Sequence, residues 1–506
     1  MLLGHLFYIL LVAAIALSVP SAALDAEARS VIVAIGIIGL WRYCWGVTHL
    51  LRSLWFRKIH FPPLRRKANK ALLSQGVGHA FLLLTSYRID EPTTTRVYAG
   101  AFRAAAQAPS GATIVASIVE PGDQQLIRDL SQAMYGSNLP FSLEFVMLAG
   151  TGKRDALAHG FRAIAAHDPR PADTVAVIDG DSIVPDDLIA RCAPFFLLDK
   201  RLGALTTDET CTVEGAEIFR KWYELRFIQR QILMCSNGLA KRVLTLTGRM
   251  SMFRAQLACD ESFIAAIEHD YVEHWRLGKI RMLTGDDKSS WFWMLSRGFF
   301  MYYVPDLQVE TIEQPPNRGF IRSAAVLMTR WFGNMLRTNG RALELGPNRT
   351  GYFTWWAILD QRVSMWTSLS GLSLALLGGF FVSAWALVYY LIWVMISRYF
   401  VVLSYFLVRE RVSIWFVPLL YFNQIFGSLI KLLVFFRLDR QKWTRQNTSL
   451  RNAGSAGFER FKLYSSRYVT AVSVAIYLAA LLLFAGLHGA PQRTLPQPTL
   501  MMGEAA

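Results

Sequence analysis

Long apolar segments near both ends of the chain, with the charged residues enriched between them, constrain its fold more than any other feature. Leu3 to Val19 and Val31 to Leu51 are long enough to cross roughly 30 Å of hydrocarbon at about 1.5 Å per helical residue. A short polar stretch with Asp25 and Glu27 separates them, so they read as a helical hairpin. The first segment lacks a basic leader and a second apolar segment follows at once, which favours a retained anchor over a cleaved signal peptide. Apolar texture returns after Gly351 in Val363 to Phe381, Trp385 to Leu407, Ile414 to Phe436 and Val469 to Leu487. With 506 residues and 53% hydrophobic content, the chain is more than one ordinary domain and too apolar for a soluble enzyme alone.

The net charge of +16 is compatible with nucleic acid, an anionic bilayer or an anionic substrate. Its distribution favours the bilayer, because Arg52, Arg57, Lys58, Arg65, Arg66 and Lys67 follow the second apolar segment and mark a cytoplasmic boundary. No nucleic-acid module is required. Arg409 and Arg411 precede the stretch 414–436, while Arg437, Arg440, Lys442 and Arg445 follow it, so both its ends are expected in the cytoplasm as a re-entrant or interfacial segment. About five spans and a Pro-rich outer tail result. Cys44, Cys192, Cys211, Cys235 and Cys259 show no C-x-x-C spacing, which points to neither zinc nor disulfides and suits a reducing compartment.

Between the membrane segments, short apolar runs at Phe81 to Thr85, Thr113 to Val119, Phe145 to Ala149 and Thr174 to Ile178 alternate with helical patterns such as Asp155 to Ala166. That order predicts an α/β domain with a mainly parallel sheet. Ligands of such sheets bind beyond the carboxyl ends of the strands.

The residues at those ends carry the chemistry. Asp179-Gly180-Asp181 closes an apolar run, and carboxylates one residue apart can share a divalent ion that neutralises a nucleotide diphosphate; a solvated turn is the plain alternative. Thr284-Gly285-Asp286-Asp287 precedes a helical aromatic run. There Asp286 fits an N-cap, and Asp287 fits a base that removes the proton from an attacking hydroxyl. Gly152-Lys153-Arg154-Asp155 opens a helix where backbone N–H groups and basic side chains favour phosphate. Thr85-Ser86-Tyr87 offers an aromatic face and hydroxyls for a base and ribose. His269, Asp270 and His274 are assigned no metal, since such a pair is usually solvated or hydrogen-bonded.

Together the T-S-Y, G-K-R, D-G-D, G-D-D and R-W motifs resemble processive family 2 glycosyltransferases, the cellulose and hyaluronan synthase group with a GT-A domain. Within it, Ala149 to Asp155, Lys241 to Ser251, Thr284 to Phe292 and Phe436 to Gln446 are most similar to the glycosyltransferase subunits of bacterial alginate synthases. The resemblance implies Mg²⁺ or Mn²⁺ on Asp179 and Asp181, with Asp287 as general base beside Asp286. It implies nucleotide contacts from Thr85, Tyr87, Lys153, Arg330 and Glu120, the last standing where the family usually has Asp. Trp331 would pack under the acceptor sugar near Gly248 and Arg249, with Leu327 in place of the family's Gln. Trp443 and Arg445 would belong to a mobile loop closing over the nucleotide. Implied too are GDP-mannuronate as donor, a membrane copolymerase partner with a cyclic-di-GMP sensor, a bacterial inner-membrane location, and a transmembrane channel whose anionic cargo is eased by Arg249, Arg254 and Arg330.

The expected division is a hairpin (1–51), a basic linker (52–79), the GT-A domain (80–315), interfacial helices (316–362), membrane and re-entrant segments (363–436), a gating-type loop (437–467), a last span (468–488) and an outer tail (489–506). Two other classes stay open. One adds a single sugar to a lipid carrier; the other is a transporter or scaffold that merely binds nucleotide.

Overall fold

The computed structural model describes residues 2–19, 26–443, 448–449 and 456–486. The strands are β1 (Ala80–Thr85), β2 (Ala112–Ile118), β3 (Ser142–Met147), β4 (Thr174–Asp179), β5 (Ser182–Ile183), β6 (Leu202–Val213), β7 (Met250–Arg254), β8 (Tyr271–His274), β9 (Gly278–Arg281) and β10 (Phe300–Glu313). Eight form one sheet in the order β3-β2-β1-β4-β7-β6-β10-β5, while β8 and β9 pair separately. β3, β2, β1 and β4 are parallel to one another, and β6 is parallel to β10; β7 runs antiparallel to both β4 and β6. The sheet is therefore mainly parallel, as the runs from Phe81 to Ile178 predict.

β1 and β2 are buried throughout, so their sequences, AFLLLT and ATIVASI, read as apolar runs rather than alternations. The helix Lys153–Ala165 crosses over them, burying Leu157, Phe161 and Ile164 on one face, and Gly160 lets it sit hard against Leu83. Each such side chain contributes about 1.5–3 kcal/mol by leaving water.

Among the described residues, five helices are long and apolar enough to cross a membrane: one within Val31–Gln75, then Tyr352–Phe381, Trp385–Leu407, Phe416–Phe435 and Ala456–Phe484. The chain is thus a membrane protein carrying a GT-A-like α/β domain. Leu2–Leu17 has only 16 residues. Phe416–Phe435, read from the sequence as re-entrant or interfacial, is one unbroken helix of 20 residues. It packs on the amphipathic helix Phe320–Glu344, whose Leu327 and Met328 join a buried cluster with Val417 and Leu420. That helix links the soluble sheet to the membrane helices.

Candidate active site

The parallel strands bring Thr85, Ser86 and Tyr87, the loop after β3, and Asp179-Gly180-Asp181 to one end of the sheet, where they line a cavity of about 1800 Å³. Gly180 lies close against the Thr85 carbonyl and Ser86; a side chain there would collide at 2.7 Å. The loop after β3 turns through Gly150 (φ 78°) and Gly152 (φ 147°), conformations that favour glycine, and delivers Lys153 to the first position of its helix.

Lys153 and its neighbour do different work. Lys153 Nζ lies 2.5 Å from Asp179 Oδ1 and 3.0 Å from Asp286 Oδ2, so carboxylates from remote parts of the chain meet on one ammonium. Arg154 is buried and turns the other way. It donates to the Ile267 carbonyl (2.6 Å), the Thr284 carbonyl (3.1 Å) and Ser289 Oγ (3.0 Å), holding the turn that carries Asp286 and Asp287. Gly285 in that turn is left-handed (φ 87°) and pressed against Asn334, which accepts from Thr284 Oγ1 at 2.8 Å.

The electrostatics separate the three acids. Burial, with Asp181 and Asp286 adding to it and Lys153 opposing, pushes Asp179 up to about 6. Burial acts likewise on Asp286, but the Lys153 and Arg154 charges outweigh it and hold this carboxyl below its ordinary value. Asp287 is raised, by burial and then by the charge of Asp286. Burial would lower Lys153, but Asp179 and Asp286 hold it well above the usual lysine range.

Asp181, Asp287, Gly248, Arg249, Arg330 and Trp331 line the same cavity. Trp331 stacks on Trp222 (centroids 5.7 Å, planes 29° apart), and the Arg226 guanidinium lies 4.0 Å from its ring centre. Arg249 is committed to acids: it meets Glu209 at 2.8 Å and Glu313 at 2.5 Å, and Glu209 also pairs with Arg230. Glu120 is exposed at the start of the helix Pro121–Tyr135 and is not part of the cavity lining. Arg254, expected beside a channel, points elsewhere, donating to the carbonyls of Leu202, Phe196 and Asp199. The reason is the antiparallel β7, which sets Arg254 beside Thr174 at the far end of β4. Trp443 lies in a two-residue strand, Lys442–Trp443, paired with Thr448–Ser449; Arg445 lies outside the described residues.

Sequence reasoning missed Gln441. Its side chain accepts from the Leu283 N–H (3.0 Å) and donates to the Arg281 carbonyl (2.7 Å), next to the turn bearing Asp287. A glutamine two residues before Trp443 gives no periodic signal that would reveal this.

The cavity continues into the membrane helices, where Arg42, Asp360, Arg398, Gln424 and Lys431 line it. Tyr390 and Val394, which also line it, belong to an apolar cluster with Val31, Ile35, Leu374 and Leu481.

Residues 81–334 match the family described as Glycosyltransferase like family 2. "Glycosyltransferase alg8" of Pseudomonas syringae pv. tomato is 45% identical over 482 residues, 95% of this chain and 97% of the relative. "Glycosyltransferase alg8" of Azotobacter vinelandii is 42% identical over 481 residues, with the same coverage. Among solved structures, a mannosyltransferase from Pyrobaculum calidifontis in complex with GDP-Man and Mn²⁺ is 14% identical, covering 87% of this chain and 98% of its own, with a TM-score of 0.39.

Proposed function

With the chain a member of the family 2 glycosyltransferases, we propose that it polymerises GDP-mannuronate into β-1,4-linked polymannuronate, the alginate precursor, and feeds the product into its own membrane cavity. The observation that carries this reading is a single cavity lined both by Asp179, Asp181 and Asp287 and by Asp360, Arg398 and Tyr390 on membrane-length helices. A transferase that adds one sugar to a lipid carrier has no need of such a passage. Near full-length likeness to two alg8 glycosyltransferases supports the alginate pathway.

Asp287 takes the proton of the acceptor hydroxyl as its oxygen attacks the sugar, and the nucleoside diphosphate leaves from the opposite face with inversion. Its raised proton affinity suits that task. Lys153, at a helix start, neutralises phosphate oxygens, while Trp331 offers the acceptor ring an aromatic face.

Asp179 and Asp181 would hold Mg²⁺ or Mn²⁺, which when bound offsets charge on the departing diphosphate. The residues fit that role: Asp179 already binds a cation, the Lys153 ammonium. Among the described residues no group of three or more acids, histidines or cysteines is placed to hold an ion by itself, so substrate phosphates would have to complete the coordination at Asp179 and Asp181. Magnesium bound through one or two carboxylates plus substrate phosphates needs no more. The catalytic domain is assigned to the cytoplasmic face of a bacterial inner membrane, next to a copolymerase carrying a cyclic-di-GMP sensor.

The test is to give membranes holding the chain GDP-mannuronate, GDP-mannose or UDP-glucose, with and without the copolymerase, and to identify the product. Polymannuronate from the first donor is expected. A lipid carrier bearing a single sugar, or nucleotide bound without sugar transfer, overturns the reading.

A further inference from the structure

The membrane part of the cavity is charged in a way that sugar hydroxyls do not require. Arg42 stands on the helix Ala26–Trp55, Arg398 on Trp385–Ser404 and Lys431 on Phe416–Phe435; all three line the cavity. Asp360, on the helix Tyr352–Phe381, is the one carboxylate of the membrane-length helices that lines it among the described residues. Asp360 pairs with Arg42 through both oxygens, one of them 3.4 Å from Nη2. Among the described residues the hydrogen-bond partners of Arg398 are neutral: it donates to the Tyr43 hydroxyl, Ser397 Oγ and Gln424 Oε1. Lys431 Nζ lies 4.8 Å from the Phe332 ring centre, with no ion pair among the described residues.

Three cations thus share one carboxylate, Asp360, whose charge also acts on Lys431; such an excess of positive charge among membrane helices is costly unless something supplies counter-charge. Serines, threonines, asparagine, glutamines and aromatic rings in the lining would serve a neutral polysaccharide without them. We propose that Arg398, Lys431 and Arg42 form a carboxylate-binding track that admits a uronic-acid polymer and disfavours a neutral one, with Asp360 as the resident counter-ion that a sugar carboxylate displaces from Arg42. This specificity rests on the polymerase reading and names the chemical feature of the product that the passage selects.

The test uses the purified full chain and two fluorescent probes, a mannuronate tetrasaccharide and the neutral mannose tetrasaccharide. Lys431→Met and Arg398→Gln are each expected to weaken uronate binding by about tenfold, the scale of one charge-assisted contact, and to leave binding of the neutral probe unchanged. Lys431→Arg retains binding. Asp360→Asn is expected to tighten uronate binding several-fold, a gain that misfolding cannot mimic. Wild-type uronate affinity in Lys431→Met and Arg398→Gln, or equal affinity of the wild type for both probes, would overturn the track. Because the assay reads binding, failure of membranes to make polymer while the uronate probe still binds through these cations would sink the polymerase reading instead.

Discussion

Gln441 clasps the main chain at Leu283, its Oε1 accepting from the Leu283 N–H at 3.0 Å while its amide donates to Arg281. The segment leading to Trp443 is thereby fastened to the turn that presents Asp287. Gln441→Ala removes both bonds, a loss of about 1–3 kcal/mol in local positioning. Turnover should fall about tenfold or more with donor affinity less changed. Steady-state kinetics with Gln441→Glu as companion check it, since the acid keeps the acceptor and loses the donor.

Asp287→Asn keeps the shape of the turn and removes the base. The variant should insert, bind GDP and lose about 10²- to 10⁴-fold of its transfer rate. Incorporation of labelled sugar at the wild-type rate would refute the assignment.

Chelation is expected to stop synthesis, and added Mg²⁺ or Mn²⁺ to restore it, because Asp179 and Asp181 provide only part of a cation's coordination and the diphosphate must complete it. Undiminished activity in excess EDTA would mean that Lys153 alone manages the leaving group.

The pH profile follows from the sign of the Asp287 shift. Burial, then the Asp286 charge, raises its pKa, and the ionised form is the active base. Activity is therefore lost on acidification at a higher pH than the value of about 3.9 for a free aspartate. An acid limb of kcat at or below that value would exclude Asp287 as the titrating base.

Much of the soluble domain is legible in the residues, because buried parallel strands such as Phe81 to Thr85 are apolar without interruption. β6 and β10 are not. β6 carries Asp208 and Glu209 inside the protein, where Arg409, Arg230 and Arg249 pair with them from distant stretches and Gln231, Tyr303 and Gln308 donate to Asp208. Pro305 interrupts β10, and its pairing with β6 shifts register between Val304 and Gln308 around that residue. Asp179 and Asp181 stand at the end of an apolar run that the sequence displays, whereas Asp286 and Asp287 open the helix Asp286–Ser296. The Lys153 bridge between Asp179 and Asp286 depends on how distant loops meet, and no spacing encodes it.

The apolar cluster of Val31, Leu374, Tyr390 and Leu481 meets the cavity through Tyr390, which lines it. Water does not wet so greasy a layer, and ions do not cross it. On the proposed polymerase reading, a strand leaving past Tyr390 has to part these apolar side chains, and its own bulk then takes the place of their contacts.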